Sequence, residues 1–448
     1  MRKAERAVLV GIVVVIAIAL RAGFVGSAQV MNPLRADAGE YAQCAQNLVE
    51  HGVYSLSKLD PPPADSFRSP GYPFLLALCR LVGGAHGWMT VALWLQVVVG
   101  SLTVLLTYRL ARACAGFAAA LFAAALCALS PHLVVSTGYV LTECTTTFVV
   151  AAGLWLLVRA VRRPGALRAA LAGLGLGAAV LCNETLLFVP CLAAVALWRA
   201  LGPRGALLLL GCGLLPFAGW SLRNQVQPLA RTGGQRAIAS ISHGSYPGMV
   251  FRDERLRGFP YREDPEQPAF GSSWAQLGAV LGQRVAAEPL RYASWYLLEK
   301  PLWLWRYGHV QGNGAQVYEV GNDPYERHAV VAASGTLMRW LHGPVMLLAA
   351  AAAIGSLVRG RRRPLPWLCG AIAVMATLAY VPVIPDPRYL QPIRPVLFVL
   401  AASGAAWLGA RVQRRLSRSS AASSARDMAG RSSRAGLPAG VEAAPPST

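Results

Sequence analysis

Long apolar runs separated by short, arginine-bearing links set the pattern of the chain. Sustained apolar stretches fall at about 8–26, 89–108, 114–130, 140–158, 169–182, 185–198, 206–222, 337–358, 365–384 and 390–410, with a shorter one over 72–84. About 20 apolar residues in a helix cross the hydrocarbon of a bilayer. In lipid every backbone N–H and C=O must be satisfied within the segment, so these runs are predicted as helices. The expectation is an all-α polytopic membrane protein with about ten transmembrane helices.

The links orient the bundle. Arg2, Lys3 and Arg6 place the N-terminus in the cytoplasm by the positive-inside rule. Arg109 and Arg112, the group Arg159 to Arg168, Arg199 and Arg204, the group Arg359 to Arg363, and the group Arg411 to Arg418 mark later inside loops. They fall after every second span provided 72–84 does not cross fully, so that stretch reads as a juxtamembrane or re-entrant helix. Both termini are then cytoplasmic. The first run is longer than a signal-peptide core and contains Arg21, so it reads as a retained anchor.

On this scheme the chain divides into a transmembrane catalytic module at 1–222 with its first outer loop at 27–88, an extracytoplasmic region at 223–336, transmembrane helices at 337–416 and a tail at 417–448. The region 223–336 is the only long polar segment. Its Trp295, Trp303 and Trp305, with Tyr292, Tyr296 and Tyr307, read as an interfacial aromatic belt. The tail is rich in Ser, Ala, Gly, Arg and Pro without periodicity, and is expected to be disordered.

Composition agrees with the pattern. Of 448 residues 55% are hydrophobic and only 14% charged, against about a quarter charged in a soluble domain. Lys and Arg number 42 against 21 Asp and Glu, giving +21. Such a balance can signal nucleic acid, but here the arginines lie between apolar runs and encode orientation, so no nucleic-acid partner is expected. The nine cysteines show no metal or disulfide spacing. Gly173-Leu174-Gly175-Leu176-Gly177 lies inside a span with no strand before it, and reads as close helix packing instead of a nucleotide loop.

The outer loops hold the unusual polar residues. In Asp37-Ala38-Gly39-Glu40-Tyr41, a helix from 37 puts Asp37, Tyr41, Cys44 and Leu48 on one face. Asp37 is then either a carboxylate held against an apolar face as a general base, or a helix cap. Arg68, in Arg68-Ser69-Pro70-Gly71-Tyr72-Pro73, is suited to a phosphate through its planar fork, or to snorkelling at the lipid boundary. Glu143 begins a span at its outer end, where a carboxylate is expensive and a functional candidate. Asn183-Glu184-Thr185 occupies the next outer turn and has the form of a glycosylation sequon close to the membrane. Trp220, Arg223 and Asn224 close a further span. Asp386-Pro387-Arg388-Tyr389 lies between the last two, with Arg388 on the side where the positive-inside rule disfavours it, as a partner anion would explain.

These motifs, in this order over roughly 8–410, resemble those of polyprenyl-phosphate-sugar-dependent glycosyltransferases of the GT-C type. The bacterial branch related to protein O-mannosyltransferases and the aminoarabinose transferase of lipid A is the nearest in character. The resemblance adds Ser130-Pro131 and Pro392 to the set. It implies a GT-C-type bundle with outer juxtamembrane helices in a bacterial plasma membrane, carrying its active site on the extracytoplasmic face. It implies a sugar moved from a polyprenyl-phosphate donor to a glycan, lipid or protein acceptor. Asp37 is then the catalytic carboxylate and Glu143 the second acidic position. Arg68 and Arg388 hold the donor phosphate. Glu40, Tyr41, Tyr72, Glu184, Arg223, Asn224, His243 and Tyr389 are further substrate-binding candidates. Asn183-Glu184 departs from the Arg-Pro pair frequent in relatives, and 223–336 keeps only fragments such as Ser242-His243-Gly244.

Direct displacement at the anomeric carbon inverts its configuration. No metal cluster or other cofactor is visible, so a metal-independent reaction is expected, although Asp37 and Glu143 could share a divalent ion. Two rival classes fit the topology. A transporter or flippase of lipid-linked sugars would need mid-membrane charges and internal repeats, and a non-catalytic assembly protein would tolerate loss of both Asp37 and Glu143.

Overall fold

The computed structural model describes residues 2–249, 264, 273–308, 314–360 and 363–435, with side chains as far as 417. Sixteen α-helices make up the described chain, joined by short 3₁₀ and π turns and one two-stranded ribbon. Helices α1 (Lys3–Ser27), α3 (Gly71–Cys114), α6 (Thr142–Arg162), α14 (Ala329–Val358) and the 3₁₀-led pair ending in α8 (Phe188–Val226) and α16 (Arg394–Ala435) supply six elements long and apolar enough to cross a membrane. A seventh is the pair α4 (Phe117–Leu129) and Pro131–Gly138, bent by 56°, which includes α5 (Pro131–Val135). The protein is therefore a multi-pass, all-helical membrane protein.

Six or seven is fewer than the ten spans expected, and the reason is local. The runs 185–198 and 206–222 are two helices within one 43-residue element, separated at Gly202, where φ 70° and ψ 168° leave the helical range, and packed on each other where a Cβ at Gly213 would stand 2.7 Å from Pro190 Cβ. Gly84, at φ 65° and ψ −170°, likewise separates 72–84, which is not among the ten, from 89–108 within α3. The runs at 169–182 and 365–384 fold as α7 (Ala166–Cys182) and α15 (Pro364–Tyr380), each of 17 residues, at the short end of the length that crosses a bilayer.

Helix association in lipid depends on close packing more than on hydrophobic transfer, and the sequence supplies small residues where helices meet. α4 buries Ala119, Ala120, Ala123 and Ala124 in the main core. The glycine repeat lies on the seam between α7 and α8, as its reading as a packing motif required. A Cβ at Gly173 would stand 2.4 Å from the Leu209 carbonyl oxygen, and one at Gly177 would stand 2.6 Å from that of Gly213.

Between α8 and α14 the described chain forms α9 (Gly233–Gly244), α10 (Trp274–Ala287), α11 (Pro289–Ser294), α12 (Lys300–Leu304) and α13 (Pro324–Arg327). This region is tied to the first loop. Strand β1 (Gln29–Val30) pairs antiparallel with β2 (Val320–Gly321), and the Tyr318 hydroxyl donates to the Arg35 carbonyl at 2.9 Å. Of the aromatic belt expected here, Tyr292 and Trp295 are buried and Tyr296, Trp303, Trp305 and Tyr307 are half-buried. Trp295 is fully buried with its indole N–H on the Gly244 carbonyl, and Trp305 donates to Thr377. The most exposed apolar side chains here are instead Leu290, Leu297, Leu298 and Leu302, ahead of Trp274 and Val285. The tail also departs from expectation. Instead of disorder from 417, the α16 backbone continues helical to Ala435, extending a helix already nucleated within the bundle; residues 436–448 lie outside those described.

Candidate active site

Four separate stretches converge on one ionic cluster. Helix α2 (Asp37–His51) begins at Asp37, and its N-cap is Ala36, in a left-handed conformation (φ 49°) with no side-chain cap. The Asp37 carboxylate is thus not spent on capping. Gly39 allows this tight start, because a Cβ there would meet the Leu34 carbonyl oxygen at 2.4 Å. The predicted face is real: Tyr41 and Cys44 are buried and Leu48 packs beside them.

Each Asp37 oxygen is held by a different guanidinium. Oδ1 accepts from Arg68 at 2.7 Å, and Oδ2 accepts from Arg388 at 2.7 Å, across 351 residues of sequence. Arg68 also pairs with Glu40 through Nε. Arg388 lies 3.8 Å from Glu143 and 3.3 Å from Asp386. Asp386 caps the 3₁₀ turn Pro387–Ile393 by accepting the Arg388 amide N–H at 2.9 Å. Glu143 is buried in the first turn of α6, and its Oε2 has no hydrogen-bond partner among the described residues. Burial alone would raise the Asp37 pKa, but the fields and hydrogen bonds of Arg388 and Arg68 outweigh it and hold the carboxyl down at about 2. At neutral pH Asp37 is an ionised, doubly clamped base.

The aromatic candidates line this cluster unequally. The Arg68 guanidinium stands 5.5 Å from the Tyr41 ring centre, and Tyr41 meets Tyr72 edge to face. Tyr72 is buried and gives its hydroxyl to Gln96, so it supports Tyr41 from behind. Tyr389 lies beside Arg388 and stacks on Tyr380, whose hydroxyl accepts from Asn183 at 2.8 Å. Glu184 pairs at 3.5 Å with Arg236 of α9. His243 lies half-buried in the last turn of α9, beside the Gly244 that packs on residues 383–384.

Arg223 and Asn224 belong to a neighbouring groove. Arg223 donates to the Asp65 carbonyl at 2.7 Å and to Asn224 at 3.0 Å, over the rings of Trp220 and Tyr54. The groove, of about 490 Å³, also includes Leu48, Pro70 and Phe74. Its Tyr54 hydroxyl donates to the Arg68 carbonyl at 2.9 Å, so residues 68–70 form a wall between groove and cluster.

Asp386 and Arg236 are members that the motif reading left without a role. Asp386-Pro387 carried a usable signal, an Asp followed by Pro at a helix start. Arg236 carried none, since its partner lies 52 residues away. Among the described residues no group of three or more His, Cys, Asp or Glu is placed to hold a metal ion.

Residues 67–221 match the family model described as dolichyl-phosphate-mannose-protein mannosyltransferase. No curated protein sequence matches the chain significantly. Among solved structures, the Archaeoglobus fulgidus oligosaccharyltransferase is similar over 89% of this chain and 50% of its own, at 15% identity and TM-score 0.49. ArnT from Cupriavidus metallidurans, solved bound to undecaprenyl phosphate, is similar over 90% and 60%, at 15% identity and TM-score 0.47. The arabinosyltransferase EmbB from Mycobacterium smegmatis is similar over 90% and 41%, at 18% identity and TM-score 0.34. The chain spans about half the length of the solved structures it matches. The family-model match covers about a third of the chain, in a segment that includes Arg68, Glu143 and Glu184.

Proposed function

We propose that this protein transfers a sugar from a polyprenyl-phosphate donor to an acceptor hydroxyl at the extracytoplasmic face of a bacterial plasma membrane, with inversion at the anomeric carbon. The observation that carries the reading is Asp37, a half-buried carboxylate whose two oxygens are each held by an arginine from another element. In this reading 1–222 is the catalytic module, 223–336 helps choose the acceptor, and both termini are cytoplasmic.

The clamp gives the site an order of events. In the free enzyme Asp37 is ionised but a weak base, because two guanidinium groups stabilise its charge. The donor phosphate competes for the same two arginines, each of which has further N–H groups to offer. As Arg68 and Arg388 turn to the phosphate, Asp37 becomes more basic and accepts the proton of the acceptor hydroxyl. The acceptor oxygen bonds to the anomeric carbon while the bond from that carbon to the phosphate oxygen breaks, and the leaving phosphate takes the electron pair, its added negative charge stabilised by the two arginines. The unpartnered Glu143 oxygen accepts a hydroxyl of sugar or acceptor and orients it.

Asp37→Asn should reduce transfer by about 10²–10⁴-fold, the usual worth of a general base, in membranes supplied with a lipid-linked sugar, while the protein accumulates normally. Undiminished transfer by that variant would remove Asp37 from the chemistry.

A further inference from the structure

Behind the turn that carries Arg388 lies a second buried arginine in different company. Arg394 opens α16 and is 5% exposed. Its guanidinium meets His132 Nδ1 at 2.6 Å, and no carboxylate pairs with it among the described residues. A ring nitrogen that accepts from a guanidinium belongs to a neutral imidazole, so this contact leaves the Arg394 charge uncompensated.

Arg394 lines a small cavity between α5, α14 and α16, with room for one water-sized guest. Two hydroxyls on the same lining have no hydrogen-bond partner among the described residues, Ser130 Oγ, on a residue with no exposed surface, and the Tyr307 hydroxyl. His342, also on the lining, gives Nε2 to the Trp305 carbonyl at 2.9 Å. The remaining walls are apolar, with Met338, Leu341 and Phe398 among them.

We propose that this cavity binds a halide-sized monovalent anion, chloride under cellular conditions. A buried cation without a counter-charge is costly at membrane depth, and a buried hydroxyl without a partner adds to that cost. A water molecule would satisfy the hydroxyls and leave the charge; a divalent cation would be repelled. A small anion neutralises Arg394 and accepts from both hydroxyls at once, whereas sulfate or phosphate is too large. Occupancy would also stiffen the site next door, because Gln391, in the turn between Arg388 and Arg394, donates to the His132 carbonyl at 2.6 Å. The proposal stands apart from the transfer reaction and does not depend on it.

The test uses the purified full chain in detergent, with sodium gluconate exchanged for chloride, bromide or sulfate at constant ionic strength. Chloride and bromide should raise the melting temperature saturably, by about 2–4 °C, with no response to sulfate. The same protein should broaden the ³⁵Cl resonance, and bromide should reverse the broadening. Arg394→Met should abolish both responses. Ser130→Ala with Tyr307→Phe, which keeps the charge, should weaken the halide midpoint roughly tenfold, and this pair decides the matter if Arg394→Met does not fold. Wild-type melting and linewidth indifferent to halide would overturn the proposal and leave a hydrated cavity. A halide response that survives in Arg394→Met, or an unchanged midpoint in the paired variant, would overturn it as well.

Discussion

Arg21 and Arg388 are both arginines taken out of water inside the bundle, and they are paired in opposite ways. Arg21 has no exposed surface and donates only to main-chain carbonyls, to Ala17 at 3.2 Å, Cys127 at 3.1 Å and Ala128 at 3.3 Å. Cys127 and Ala128 end α4 just before Ser130-Pro131, where carbonyl groups lack intrahelical partners. Arg21 therefore caps a broken span. Arg388 instead faces Asp37, Glu143 and Asp386. A carbonyl oxygen cannot change its charge, whereas a carboxylate can take up a proton and can be displaced by another anion. The first pairing is architecture; the second can take part in a reaction.

The sharpest way to break that contrast is to replace each arginine with lysine. A single ammonium keeps the charge but cannot span three carboxylates, because it lacks the planar fork. Arg388→Lys should lower kcat/KM about 10²-fold or more with a small change in melting temperature. Arg21→Lys should do the reverse. The lysine still reaches carbonyls but satisfies fewer of them, so melting falls by about 2–4 °C while kcat of the folded enzyme stays within about twofold. Both are measured on purified protein by thermal unfolding and by transfer from a lipid-linked sugar. Equal effects of the two changes on activity would dissolve the distinction.

That comparison also marks how far the chain could be read unaided. Helix positions and the outer motifs were legible because apolar runs and arginine links are local signals. Asp37, Arg68, Glu143 and Arg388 were found from fragments that each lie on a loop before a helix. Their mutual contact was not readable, since Asp37 and Arg388 are 351 residues apart and only tertiary packing joins them. Arg21 was visible only as a blemish in an apolar run, because the carbonyls it serves lie 106 and 107 residues on. The Asp37 cap reading failed for a similar reason, as the arginines that claim its oxygens belong to other elements. The breaks at Gly84 and Gly202 were not readable either, since a lone glycine within apolar sequence carries no sign of the φ it will take.

A smaller effect separates the two states of Asp37 by pH. In the free enzyme Asp37 titrates at about 2. A carboxylate depressed in the folded state stabilises the fold above its unfolded pKa, near 3.9, and loses that contribution as pH falls toward 2. Between pH 5 and 8 Asp37 therefore adds no pH dependence to melting. Activity is different, because kcat reports groups in the substrate complex and kcat/KM those in the free enzyme. If the donor phosphate draws Arg68 and Arg388 away, the acid limb of kcat should lie at least about one unit above that of kcat/KM for donor. Coincident limbs would mean that the clamp does not open.

The smallest effect is expected in the groove beside the cluster, where Arg223 stands on the same side as Arg68 but in the manner of Arg21. It donates to the Asp65 carbonyl and to Asn224 and packs over Trp220 and Tyr54, with no carboxylate among its hydrogen bonds. Asp65 in turn is occupied by the amides of Leu56 and Phe67. Arg223 thus holds the loop that forms the wall at residues 68–70, and its effect on Arg68 passes through that wall. Arg223→Ala should raise the KM for donor by less than about fivefold, since the charge-assisted hydrogen bonds it loses, about 1.5–3 kcal/mol each, anchor the loop and reach Arg68 only in part, and should leave the acid limb of kcat in place. A loss above tenfold with a displaced limb would move Arg223 from the supporting arginines to those that meet the phosphate, and the groove would then be part of the donor site.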